Sequence, residues 1–209
     1  MSDLPRGAFR RVDETPDEEF YRQPRFVTHI DDTAIAAVTQ LYREVLPPGG
    51  AILDLMSSWV SHLPPEVEYR RVVGLGLNEA ELRGNPRLSA FVVQNLNRDA
   101  RLPFADGEFD GAGITVSIDY LTRPVEVLRD LGRVLTPGSP VVITFSNRCF
   151  PTKAVAIWHS LDSAGHLALV ESYLREAGNW HEITSHDRSP RGRGRDPLFA
   201  VTARAGSGS

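Results

Sequence analysis

The stretch DARLPFADGEFDGAGITVSIDYL, residues 99–121, runs into TRPVEVLRDLGRVLTPGSPVVITFS, residues 122–146, and constrains the fold more than any other part of the chain. Val125, Leu128, Leu131 and Leu135 recur at three- and four-residue steps, so the helix they predict has one apolar face. Pro124 falls in the first helical turn, which tolerates proline, and Pro137-Gly138 stops the helix. Pro140 to Phe145 is a short β-branched run, too hydrophobic for a half-exposed strand and suited to a parallel sheet covered on both faces. With a strand expected at 111–117, the segment reads as one parallel βαβ crossover.

The rest of the chain repeats this alternation. A helix is expected from Asp31 or Asp32, with Ile35, Val38, Leu41 and Val45 as its buried stripe and Pro47-Pro48-Gly49-Gly50 as its stop. Further strands are expected at 51–55, 71–75 and 89–94, with a short helix starting at 79–83. Residues 152–177 read as helical with a break near Ser163 to Gly165. Residues 180–186 and 198–203 look like a closing antiparallel pair joined by the loop DRSPRGRGRDP. Strands alternating with helices imply an α/β sandwich with a largely parallel sheet. Ligands of such sheets bind beyond the carboxyl ends of the strands, where strand order reverses. Residues 1–25, charged and carrying Pro5, Pro16 and Pro24, are expected to form a flexible arm, disordered over its first dozen residues. Residues 26–205 then make a single domain and 206–209 a flexible tail.

Bulk properties narrow the function classes. With 23 basic and 27 acidic residues among 209, the net charge of −4 gives no electrostatic case for a polyanion, and no nucleic-acid partner is expected. The run RGRGR at 191–195 reads as a solvated hairpin loop. The single cysteine, Cys149, excludes an intramolecular disulfide, fits a reducing compartment and reads as a small packed residue. The start, MSDLPRGAFRRVDE, lacks the apolar core of a signal peptide, and no run approaches the roughly 20 apolar residues of a membrane span. A soluble cytoplasmic protein without a membrane partner is the expectation. No spacing of His, Cys, Asp or Glu resembles a metal site.

Leu102-Pro103-Phe104, then Phe109-Asp110 opening a strand, then a helix ending in Arg-Val-Leu-Thr-Pro-Gly over 133–138, form an ordered set. In that order and spacing the chain resembles the class I S-adenosylmethionine-dependent methyltransferases, specifically the methyltransferase type 11 group. The resemblance is detailed from about residue 50 to 146. It implies a Rossmann-like three-layer α/β sandwich whose seven-stranded, mostly parallel sheet has the order 3-2-1-4-5-7-6, the last strand antiparallel. It also implies S-adenosyl-L-methionine as cofactor, S-adenosyl-L-homocysteine as its product, and no metal. The acceptor is expected to be a small molecule, methylated by in-line displacement, and the protein a monomer or homodimer.

In the family the first strand ends in an acidic residue followed by a Gly-x-Gly turn, and a helix N-terminus faces the cofactor's carboxylate. Here Asp54 supplies the acid, but the turn reads Leu55-Met56-Ser57-Ser58-Trp59, without glycine. Ser57 and Ser58 can donate to a carboxylate, whereas Trp59 has to point elsewhere. The competing reading is an ordinary strand-to-helix turn with Asp54 capping the helix. Gly76 stands where the family's ribose-binding acid is expected, followed by Leu77 and Asn78. Asn78 can bond the ribose or cap a helix, with Glu81 completing a capping box. For the adenine amino group, Asn95-Leu96 at the end of the third strand competes with Asp99 further into the loop. Ser117, at the end of the fourth strand, completes the expected cofactor set.

The acceptor pocket is expected over the ends of the fourth and fifth strands. Asp119, Tyr120, Asn147 and Arg148 emerge there, Arg148 suited to clamp a carboxylate or phosphate or to serve as a surface residue. The segment FYRQPRFVTHID, residues 20–31, is a second source of contacts. As a lid it would contribute Tyr21, Arg25 and His29; as an anchor it would bury Phe20 and Phe26. His29 and Tyr120 are the candidate catalytic groups, His29 because an imidazole titrates near neutrality. His159 and His166 are expected on the late helix, away from the chemistry. The runner-up function is a catalytically inactive methyltransferase-like binding or regulatory protein. A nicotinamide-dependent oxidoreductase lacks its Gly-x-Gly-x-x-Gly turn, since Gly74-x-Gly76 follows the wrong strand.

Overall fold

The apolar, β-branched runs become the strands of one sheet in the computed structural model, which describes residues 4–206. They are β1 (Ala51–Leu55), β2 (Arg71–Gly76), β3 (Ala90–Val93), β4 (Gly111–Thr115), β5 (Pro140–Phe145), β6 (Trp180–Asp187) and β7 (Phe199–Ala205). Their order is β3-β2-β1-β4-β5-β7-β6. Neighbours from β3 to β5 pair in parallel, and β7 runs antiparallel to both β5 and β6. This is the Rossmann-like α/β fold and the strand order that the resemblance implies. Alternate residues of the same strands face opposite ways. Leu53, Leu55, Leu75 and Ile143 therefore join one core, and Ile52, Val72 and Val142 join another.

The helices are α1 (Asp17–Phe20), α2 (Asp32–Val45), α3 (Glu79–Gly84), α4 (Pro124–Val134), α5 (Ala156–His159) and α6 (Ser163–Ala177). In α4, Val125, Leu128 and Leu131 are buried as their spacing predicts, with Pro124 at the start. The residues that recur around this helix are tied together physically. Arg133 donates to the carbonyls of Phe104 (2.9 Å) and Leu102 (3.0 Å). Asp130, its partner at 2.7 Å, accepts from the Leu102 amide at 2.6 Å. The Leu-Pro-Phe turn and the end of α4 are thus one hydrogen-bonded unit. At Gly113 of β4 an added Cβ would lie 2.4 Å from the Tyr42 hydroxyl, so the glycine admits the α2 tyrosine.

Several expectations shift. The buried stripe of α2 is Ala34, Val38, Leu41 and Tyr42, with Ile35 and Val45 only half-buried, because Tyr42 packs into the space at Gly113. β4 ends at Thr115 rather than Ser117, since Val116 turns to a positive φ of 43° and a 3-10 turn follows at Ile118–Tyr120. The late helix breaks at 160–162, just before the expected place, where Asp162 caps α6 by accepting from the Gly165 amide.

The arm departs most from expectation. Residues 1–3 and the tail residues 207–209 lie outside the described part, but 4–25 are packed on the domain. The Ala8 and Arg10 carbonyls accept from the Ile157 and Ala156 amides at 2.9 and 2.8 Å. Lys153, wholly buried, donates to the Thr15 carbonyl at 2.6 Å and pairs with Asp13 and Asp17 at 3.5 and 3.4 Å. A buried ammonium needs such partners, and the arm supplies them. Composition alone does not show a partner about 140 residues away.

Candidate active site

β1 leads into no helix: residues 56–70 are irregular, and Pro64-Pro65 would interrupt one. Side chains hold the segment instead. Asn85 donates to the Ser58 carbonyl and the Ser61 hydroxyl, both at 2.9 Å. Asp54, buried, accepts from the hydroxyls of Ser57 and Ser61, both at 2.6 Å. Burial pushes the Asp54 carboxyl up to about 6, against the pull of those two hydroxyls. Asp54 therefore braces the turn from behind and caps no helix. Neither it nor Leu55 lines the cavity described below, which corrects their expected direct contact.

The turn keeps a glycine-like path without glycine. Met56 has φ 59°, the left-handed region that normally favours glycine. The Ser57 amide donates to the Leu75 carbonyl at 2.8 Å, laying the turn across the end of β2. A Cβ at Gly76 would lie 2.2 Å from the Ser57 carbonyl oxygen. That contact explains why position 76 has no side chain: the turn occupies the space an acid there would need. Trp59 swings outward, its indole donating to the Val27 carbonyl at 3.0 Å and its ring edge-on to Phe26.

Beyond the carboxyl ends of β1, β2, β4 and β5 lies a cavity of about 400 Å³, a volume typical of small-molecule sites. Of the expected cofactor residues, Met56, Ser57, Ser58, Gly76, Leu77, Asn78, Asn95, Leu96 and Ser117 line it. Asn78 caps α3 by accepting from the Glu81 amide at 3.1 Å and donates to the Tyr21 carbonyl at 2.8 Å. The second half of the capping box does not form. Glu81 instead accepts from the Ser58 hydroxyl (2.8 Å) and the Arg25 amide (2.7 Å), joining turn to arm. Of the two adenine registers, Asn95 reaches the cavity, its side-chain carbonyl Oδ1 accepting from the Asn97 backbone amide at 2.9 Å. Asp99 does not reach it; its carboxylate is turned to the Arg101 amide in the exposed loop. Ser117 is buried, and its hydroxyl has no partner among the described residues. Val116 and Met56, both at positive φ, flank the cavity. Strained backbone of this kind costs about 1–3 kcal/mol per residue and clusters at functional sites.

On the acceptor side, Tyr21, Arg25, His29, Tyr120, Asn147 and Arg148 line the cavity together with Phe150. The Tyr120 hydroxyl accepts from the Phe150 amide at 2.8 Å. Burial and the neighbouring Asp119 raise its pKa, so it stays a neutral phenol. His29 lies 5.2 Å from the Phe150 ring, edge to face. His29 is exposed at the cavity rim, and partial desolvation there pushes its pKa down against the pull of Glu81. Arg148 is held by Asp196 at 2.7 Å. Asp119 does not line the cavity. It is buried, with one carboxylate oxygen unpartnered, and burial pushes it up to about 8, so it is a neutral acid at pH 7 rather than an exposed contact. His159 and His166 lie outside the cavity.

Sequence reasoning missed Asp17, Glu81, Gln94 and Asn97, which also line the cavity. Asp17 and Asn97 meet at 2.9 Å across 80 residues, a pairing no local pattern reveals. Glu81 was visible only as a capping residue. Among the described residues no group of three or more His, Cys, Asp or Glu is placed to hold a metal ion. No helix among them is long and apolar enough to cross a membrane.

Comparison with known proteins agrees with this architecture. Residues 58–143 match the family model described as a methyltransferase domain. The match begins at Ser58, after the acid and most of the altered turn. No curated protein matches the sequence. Among solved structures, an S-adenosylmethionine-dependent methyltransferase from Mesorhizobium loti is 17% identical, with a TM-score of 0.58, covering 80% of this chain and 97% of that one. The [4+2]-cyclase SpnF is 18% identical, with a TM-score of 0.60, over 82% and 80% of the two chains. Phosphoethanolamine N-methyltransferase 2 of Haemonchus contortus, in complex with S-adenosyl-L-methionine, is 13% identical, with a TM-score of 0.59, over 84% of this chain and 53% of that one. The structures show a shared fold. With the family match, they support a class I S-adenosylmethionine-dependent methyltransferase.

Proposed function

We propose that the protein transfers the methyl group of S-adenosyl-L-methionine to a small-molecule acceptor, releasing S-adenosyl-L-homocysteine. The observation that carries this reading is the cavity of about 400 Å³ at the carboxyl ends of the central strands, flanked by the left-handed Met56 turn and holding the unpartnered Ser117 hydroxyl. A buried hydroxyl without a partner suits a ligand with polar groups of its own. The cofactor supplies an electrophilic methyl group on a sulfonium, so the protein has mainly to align the acceptor and exclude water.

In this reading the Met56–Ser58 turn holds the amino-acid end, Asn78 and Leu77 border the ribose, and Asn95 and Leu96 face the adenine. Tyr21, Asn147 and Arg148 contact the acceptor. Arg148, already paired with Asp196, offers only its remaining donors. His29, exposed at the cavity rim with its pKa lowered by partial desolvation, takes a proton where the acceptor carries one. Tyr120 stays a protonated phenol, its oxygen already accepting from the Phe150 amide; its role is to orient. The arm, packed across the cavity through Tyr21 and Arg25, acts as the lid. A cavity of about 400 Å³ with the arm across it suits a compact acceptor beside the cofactor.

Calorimetric titration of the purified chain with S-adenosylmethionine and, separately, S-adenosylhomocysteine tests this. Saturable binding near one per chain is expected for both. No heat at millimolar ligand would favour a non-catalytic, methyltransferase-like role.

A further inference from the structure

The acceptor end of the cavity is walled by rings. Tyr21, His29, Tyr120 and Phe150 all line it. Phe150 is the hub, its ring centre 5.2 Å from that of His29, 5.9 Å from Tyr120 and 6.3 Å from Tyr21. Aromatic pairs favour edge-on or offset geometry at such distances, so a flat aromatic guest extends the cluster in kind, whereas a saturated ring gains only contact area.

The charges lining the cavity indicate the sign of that guest. Two carboxylates line it, and both are engaged. Asp17 accepts from Asn97 at 2.9 Å and pairs with Arg11 and Lys153 at 2.6 and 3.4 Å. Glu81 accepts from the Ser58 hydroxyl and the Arg25 amide. The Arg25 guanidinium is packed among Phe20, Tyr21 and Phe150 and donates to the Phe20 carbonyl at 3.0 Å. Arg148 differs. Asp196 holds only its Nε, at 2.7 Å, which leaves both terminal nitrogens bonded to no described residue. Asp196 is fixed in turn, its other oxygen accepting from the Asp31 amide at 2.9 Å. The guanidinium is thus held at the mouth of the cavity with its outer edge open. Arg191, Arg193 and Arg195, all exposed, precede Asp196 in the same loop. The RGRGR run therefore ends at the cavity mouth, where clustered cations draw in anions.

We propose that the acceptor is an aromatic acid, its ring set against the Phe150 cluster and its carboxylate taken by the terminal nitrogens of Arg148. A guanidinium edge matches a carboxylate in shape as well as charge. This names the substrate class of the same site and rests on the methyltransferase reading. A cationic amine fits poorly, because it would meet two guanidinium groups and no unengaged carboxylate.

The test titrates matched probes into the full chain saturated with S-adenosylhomocysteine, with binding read by ligand-observed NMR. The probes are para-hydroxybenzoate, its ring-saturated analogue, and the cation para-hydroxybenzylamine. The aromatic acid is expected to bind about 3- to 10-fold more tightly than the saturated acid, the range for one aromatic pair. Over the amine its expected advantage is about 5-fold or more, since charge reversal turns an exposed ion pair into a repulsion. Arg148→Gln is expected to weaken both acids by about 5-fold and to leave the amine no weaker. Equal binding of the probes, or no saturable binding of para-hydroxybenzoate, overturns the proposal. The methyltransferase reading then stands, because the cofactor product is already bound. An acid preference that survives in Arg148→Gln also overturns the proposal. A chain that does not bind S-adenosylhomocysteine overturns the reading and the proposal together. Should Arg148→Gln not fold, the probe series on the wild type decides.

Discussion

The β4–α4–β5 crossover and the β1 turn are neighbours in one sheet, yet they are held by different forces. In the crossover, apolar side chains at helical spacing bury against fully buried strands. Its main polar tie, Arg133 to Asp130, spans three residues. The β1 turn has no helix to rest on, and its shape comes from polar groups distant in sequence: Asn85, Glu81, Arg25 and the buried Asp54. Burial of apolar area is tolerant of detail, whereas a network of buried polar bonds is specific and fails as a unit. The first region therefore sets stability and the second sets what the cavity can hold.

The largest effect should come from the crossover. Leu131→Ala, at a fully buried position, is expected to cost about 2–5 kcal/mol in chemical denaturation. Affinity of the folded fraction for S-adenosylhomocysteine should be unchanged. If that affinity fell, the division between the two regions would not hold.

Two carboxylates sharpen the contrast through pH. Burial raises Asp54 to about 6, so the folded state holds its proton more tightly than the unfolded chain does. Its contribution favours folding at low pH and is lost as pH rises from about 4 to about 6, by about 2–3 kcal/mol. Burial also acts to raise Asp130, but the Arg133 hydrogen bond and charge outweigh it and hold its carboxyl below the ordinary range. Its contribution is therefore present above the unfolded pKa and is lost as pH falls. Asp54→Asn should flatten the first slope and Asp130→Asn the second, each measured by urea denaturation across pH. The same pH profile in both variants would contradict the assignment.

Gly76→Ala places a Cβ against the Ser57 carbonyl, and overpacking of this kind costs about 1–3 kcal/mol. Because the turn must move, cofactor affinity should fall further than stability does; a variant that binds normally would show that the turn does not shape the site. Glu81→Gln removes one of two acceptor oxygens, with an expected stability loss of about 1 kcal/mol. Its readout is a weaker calorimetric affinity for S-adenosylhomocysteine. Least of all, Glu126→Gln, which breaks an exposed pair with Arg123 on α4, should shift stability by less than about 0.5 kcal/mol.

The same contrast explains what was legible in the sequence. The strands themselves, the α4 face and the Pro-Gly stop follow from periodicity and turn chemistry, which are local. The resemblance added the strand order, 3-2-1-4-5-7-6. Asp54, Leu55, Asp99 and Asp119 matched expected positions but do not line the cavity, because a strand-end register does not reveal which way a side chain is turned. Glu81 and Asp17 belong to the cavity, yet the bonds that place them there, to Ser58, Arg25 and Asn97, span 23 to 80 residues. Gly76 appeared as a lost acid and is a close approach of backbone to backbone. The arm looked solvated because the buried ammonium that holds it, Lys153, lies 138 residues from its partner Thr15.

The most direct test of the account is a crystal structure of the chain with S-adenosylhomocysteine. The account predicts the amino-acid end of the ligand at the Met56–Ser58 turn, within hydrogen-bond reach of Ser57 or Ser58, with the adenine beside Asn95. A ligand bound with its amino-acid end away from that turn would contradict the claim that side-chain bracing has kept a glycine-free turn in working order.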